Sequence, residues 1–113
     1  MKHFFIIANS QKDKGLELTK QMQGFIKGEG GTCGIFSLEG KRTEDSGLSV
    51  ETIPTGTECI FVLGGDGTLI RTAARLVSRN IPLIGVNLGT VGYLCELEAK
   101  DIFAAAEKGD VAA

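Results

Sequence analysis

A continuous apolar run that starts at residue 3 and stops at the polar pair Asn9–Ser10 most restricts what this chain can become. A run without alternation suits a strand covered on both faces, as in a parallel sheet, rather than one with a wet side. Residues 32–37, 58–63 ("ECIFVL") and 82–87 ("PLIGVN") are read as three further strands. Between them lie two segments with helical spacing. Leu18, Met22, Phe25 and Ile26 fall at i, i+4, i+7 and i+8 within 14–27, although Gly24 interrupts that stretch. Gly28, Gly30 and Gly31 end it. Leu69, Ala73, Leu76 and Val77 repeat in the same way from Asp66 onward, and Asn80 and Pro82 close the second helix. Residues 38–56 are polar and contain Pro54. They are read as a loop with room for a short turn of helix, and such length inside a domain points to function or mobility. A last helix is expected over 99–108, capped by Asp101.

Strands alternating with helices imply right-handed crossovers and a three-layer α/β domain with an open parallel sheet, Rossmann-like in plan. The chain of 113 residues has room for one such domain, 1–113. A net charge of −2 argues against a nucleic-acid partner, which would require a basic stripe. No run approaches the roughly 18 residues of a membrane span, and the apolar run at 4–8 is too short for a signal peptide. A cytoplasmic protein is expected. Cys33, Cys59 and Cys95 are odd in number and form no CxxC pair, so buried free thiols are expected rather than a metal site or a disulfide framework.

In open sheets of this kind, ligands gather beyond the carboxyl ends of the strands. Two glycine-rich loops fall there, "GGDGT" at 64–68 and "NLGTVGYL" at 87–94. In the first, Gly64, Gly65 and Gly67 permit positive φ and close approach of a ligand to the backbone. The helix that opens there presents free N–H groups and a positive dipole end, which suit a phosphate. Asp66 would repel that phosphate unless it has a task. Ordering a magnesium ion and accepting a proton from an attacking hydroxyl both qualify. A plain helix-cap role for Asp66 or Thr68 is the competing explanation.

Other features carry less. "GEGGTCG" at 28–34 has loose GxGxxG spacing, but it follows a helix and precedes a strand, the reverse of a dinucleotide fingerprint. No P-loop or GxSxG motif occurs, and His3 is the single histidine. Arg71, Arg75 and Arg79 share one face of the second helix. Arg75 and Arg79 are read as a solvated face, whereas Arg71 lies one turn past the glycine loop, within reach of a ligand.

"LGGDGTLIRTAARL" followed by "PLIGVNLGTVGYL" resembles the NAD kinases, which use ATP or polyphosphate. GGDG is shared with lipid kinases and in related form with phosphofructokinases; the NLGxxG-aromatic-Leu element is what separates NAD kinases from them. The resemblance implies phosphoryl transfer to the 2′-hydroxyl of NAD, giving NADP. It implies that Asp66 contacts that hydroxyl and accepts its proton, that Gly67, Arg71 and Tyr93 contact NAD, and that Asn87, Gly89 and Gly92 shape the second loop. Gly64, Gly65 and Thr68 would cradle the donor phosphates, with magnesium neutralising them, and no protein metal site is expected. NAD kinases have a second, β-rich domain carrying an Asn-Asp/Glu and a Gly-Ser-Thr-Ala-Tyr motif, and neither motif occurs here. The chain therefore resembles the N-terminal domain alone. By itself it is expected to be inactive, and its full-length parent is expected to form homo-oligomers. A lipid or diacylglycerol-type kinase and a non-catalytic nucleotide-binding module are the alternatives. The first would need an apolar acceptor cleft, against which NLGTVGYL argues.

Overall fold

The computed structural model describes residues 2–87, with Asp66 and Asn87 described through their backbone. Four strands, β1 (His3–Ala8), β2 (Thr32–Ser37), β3 (Cys59–Gly64) and β4 (Leu83–Asn87), form one sheet in the order β2-β1-β3-β4. Every neighbouring pair is parallel. The helix expected over 99–108 lies outside the described residues.

Alternate residues of each apolar run go to opposite faces, and both faces are buried. Phe4, Ile6 and Ala8 of β1 join Phe61 and Leu63 of β3 under helix α1 (Glu17–Gly28), through its Met22 and Ile26. The Phe4 and Phe61 rings stack with centroids 5.7 Å apart. Phe5, Ile7, Ile60 and Val62 face the other way, toward Leu76 of helix α2 (Asp66–Leu76) and toward Leu38, Leu48 and Ile53 of the β2–β3 connection. Burial on two sides is what makes a run without alternation the right pattern for these strands.

Crossovers of one hand explain the layering. The chain moves outward from β1 to β2 but in the opposite direction from β2 to β3 and from β3 to β4. A constant hand therefore puts α1 on one face, and α2 with the 38–56 segment on the other. That segment, expected as a loop with a short turn of helix, contains two 3₁₀ turns, Thr43–Asp45 and Val50–Thr52.

Helix α1 runs through Gly24 without a break, contrary to the sequence expectation. Met22 and Ile26 are buried as the spacing implies, while Leu18 and Phe25 sit at the rim and Thr19 takes an inward position. The helix is fastened at its start by Asp13, which lies ahead of it. Its carboxylate accepts from the N–H of Leu18 (3.1 Å), the N–H of Thr19 (2.9 Å) and the Thr19 hydroxyl (2.6 Å). Leu16 turns the chain between them in the left-handed region, φ 55°. α2 ends at Leu76, continues as a 3₁₀ turn over Val77–Arg79, and stops at Asn80 with φ 53°, the left-handed stop that asparagine tolerates.

Cys33 and Cys59 are buried free thiols, as expected, and Cys95 lies outside the described residues. Burial pushes the Cys33 thiol up to about 12 and the Cys59 thiol up to about 11. Site-resolved alkylation at pH 8 should therefore leave both unmodified in the folded chain and label both in denaturant. Asp13→Ala removes every one of α1's carboxylate contacts. It should lower the unfolding free energy by about 2 kcal/mol in urea titration.

Candidate functional site

The strand order places a topological switch point between β1 and β3, because the chain leaves these neighbours in opposite directions. Their carboxyl ends are joined by one more backbone bond, Asn9 N–H to Leu63 O at 2.8 Å. β3 then runs directly into Gly64, Gly65 and α2, and the register sets Gly64 opposite Asn87 of β4. Asn9, the GGDGT loop and the backbone of Asn87 thus share one edge of the sheet. Gly89, Gly92 and Tyr93 lie outside the described residues.

The two helices that start at this edge differ at their mouths. At α1 the Asp13 carboxylate already takes the N–H groups of Leu18 and Thr19 in the first turn. At α2 the cap residue is Gly65, which has no side-chain acceptor of its own. The positive end of α2 is thus the one that the cap leaves for an anion. Asp66 is the first residue of that helix.

The loop glycines serve the site through their missing side chains rather than through left-handed backbone. Gly64, Gly65 and Gly67 all lie outside the positive-φ region, contrary to the sequence expectation. A Cβ on Gly64 would stand 3.0 Å from Thr68 Oγ1, 3.1 Å from Thr68 Cβ and 3.3 Å from Asn9 Cβ. Gly64 is therefore the point where the β1 loop, β3 and α2 close on one another. Thr68 is buried against it. A Cβ on Gly65 would meet nothing within 4 Å, so this residue faces open space. A Cβ on Gly67 would come within 2.9 Å of Arg71 Nη1, so the guanidinium folds back over the first turn of α2.

Arg71 also approaches the β2–β3 connection, with Nε 3.8 Å from Glu44 Oε1. Of the other two arginines expected to form a solvated face, Arg75 is exposed and Arg79 half-buried, but both also reach main-chain carbonyls. Arg75 donates from Nε to Leu48 O at 2.8 Å. Arg79 donates to the carbonyls of Val50, Ile53 (2.8 Å) and Pro54 (3.2 Å). Together they hold the 48–54 segment along the helix and so steady the element that carries the loop.

A cavity of about 580 Å³ opens at the opposite edge of the sheet, between His3, Lys27, Thr32 and Cys33. Its chemistry is quiet. The Cys33 thiol stays protonated, and His3 Nδ1 lies 2.9 Å from Thr32 Oγ1. Among the described residues no three His, Cys, Asp or Glu side chains converge to hold a metal, and no helix is long and apolar enough to cross a membrane.

Residues 30–109 match the family model described as the ATP-NAD kinase N-terminal domain. The chain belongs to the NAD kinase family. It is 48% identical over 103 residues to the NAD kinase of Agathobacter rectalis, covering 91% of this chain and 36% of that protein. It is 45% identical over 98 residues to the NAD kinase of Lachnoclostridium phytofermentans, covering 87% and 34%. With the NAD kinase of Ruminiclostridium cellulolyticum the identity is 35% over 108 residues, covering 95% and 38%. The chain thus spans roughly a third of the length of these NAD kinases.

Sequence reading missed Asn9 at this site. Its proximity to Gly64 follows only from β1 lying next to β3, and an order of pairing has no local signature. Gly64→Ala should lower stability by about 1–3 kcal/mol, the range for overpacking, because the side chains of buried Thr68 and of Asn9 close on that point. Gly65→Ala should stay within about 0.5 kcal/mol of the parent. Thermal unfolding of the two variants checks the contrast.

Proposed function

We propose that this chain supplies the phosphoryl-transfer half of an NAD kinase site, which moves the terminal phosphoryl group of ATP, or of polyphosphate, to the 2′-hydroxyl of NAD. The observation that carries the reading is the GGDGT loop at the switch point, opening a helix whose cap leaves its N–H groups for an anion. Family membership supplies the substrates.

In this reading the open backbone at Gly65 and the positive end of α2 receive phosphate, where a side chain would stand in the way. Gly67 and Arg71 meet the dinucleotide, with the guanidinium already folded over the first helical turn. Asp66 stands at the junction of strand and helix. A ribose hydroxyl is far too weak an acid to be deprotonated beforehand by a carboxylate. The carboxylate instead orients the hydroxyl and takes its proton as the new O–P bond forms. Magnesium arrives with the nucleotide as part of the substrate and neutralises its phosphates. Tyr93, Asn87, Gly89 and Gly92 would complete the acceptor side of the loop cluster. The remaining contacts to NAD come from beyond these residues, so residues 1–113 alone form little or no NADP. The full-length protein works in the cytoplasm as a homo-oligomer.

A coupled assay for NADP formation tests the reading. Asp66→Asn in the full-length protein should lower kcat by about 10²–10⁴-fold, the usual contribution of a general base, with KM for NAD changed far less. A loss confined to KM would make Asp66 a binding residue, and absence of NADP from the unaltered full-length protein would end the proposal.

A further inference from the structure

Arg71 lies between two elements, and its two edges face different ways. Its Nε edge faces Glu44 Oε1 at 3.8 Å, from the 3₁₀ turn of the β2–β3 connection. Its Nη1 lies over Gly67, 2.9 Å from where a Cβ would be, at the mouth of α2. Glu44 therefore takes the side of the guanidinium that points away from the loop and leaves the terminal nitrogens turned toward it. The turn that presents Glu44 is itself firm. Thr43 is buried, Ser46 Oγ donates to Thr43 O at 2.7 Å, and Leu48 N–H donates to Ser46 Oγ at 3.2 Å. One turn along α2, Arg75 holds the Leu48 carbonyl, which keeps the segment in place against the helix.

We propose that Glu44 is a positioning residue, acting through Arg71 to aim the guanidinium at the anionic part of the dinucleotide. The inference rests on the reading above, in which Arg71 meets NAD. Glu44 competes for none of the ligand's contacts, because it occupies the Nε edge. Its loss should therefore weaken binding rather than strengthen it. Both side chains are about half exposed, 52% and 48%, so the effect is modest and sensitive to salt.

The test is a double-mutant cycle in the full-length protein, reading kcat and KM for NAD separately. Glu44→Gln should raise KM about two- to five-fold, the range for an exposed ion pair, with kcat held. In the Arg71→Ala background the same change should have no effect. Ser46→Ala loosens the turn that presents Glu44 and should raise KM in the same direction, by no more than Glu44→Gln and only while Arg71 is present. A KM that falls or stays unchanged in Glu44→Gln, or additive effects in the cycle, would each overturn the positioning role. These outcomes all require an active parent. If the parent forms no NADP, the kinase reading fails first and takes this inference with it.

Discussion

The pairing of β1 with β3 is the contact on which the rest depends. It makes two strands far apart in the chain into central neighbours, with Ala8 beside Leu63, and it continues for one more rung at Asn9. Because both central strands are buried on two faces, their carboxyl ends cannot move independently. Whatever is built at Asn9 and Gly64 inherits that rigidity. Any helix dipole that is to help an anion needs such rigidity, since it helps only if it is already aimed.

The helix leaving this point is anchored in an unusual manner. Apolar contact of Leu69 and Leu76 seats α2 on the sheet. Its outer polar face is engaged by a connection that has no helix of its own, only two short turns. Arg75 of α2 and Arg79 of the 3₁₀ turn after it give that connection what a helix would give itself, which is donors for its carbonyls. Charged donors to buried or half-buried carbonyls are among the stronger hydrogen bonds a protein makes. The loop and the strap are thus parts of one mechanical unit, joined through a single helix.

Much of this was legible in the residues, because the signals were local. The runs at 3–8 and 32–37 coincide with β1 and β2, and Asp66 opens α2 where the spacing put it. What was not legible depends on partners distant in sequence or without identity. Arg75 and Arg79 reach carbonyls 25 to 29 residues away, and a carbonyl looks the same at every position. Read alone, such arginines are surface charges. Asp13 was missed for another reason. It caps α1 from outside the usual spacing, across a left-handed Leu16 that no propensity rule favours. The glycines of the loop were singled out for their torsional freedom, which they do not use. Their value is bulk they do not have, at Gly64 against Asn9 and Thr68 and at Gly67 under Arg71.

Tethering through main-chain oxygens has an evolutionary corollary. Arg75 and Arg79 grip Leu48, Val50, Ile53 and Pro54 by atoms that every amino acid possesses. Outward-facing positions in that stretch can therefore drift in composition without releasing it. Selection is left free to retune the surface beside the glycine loop while the scaffold underneath keeps its shape.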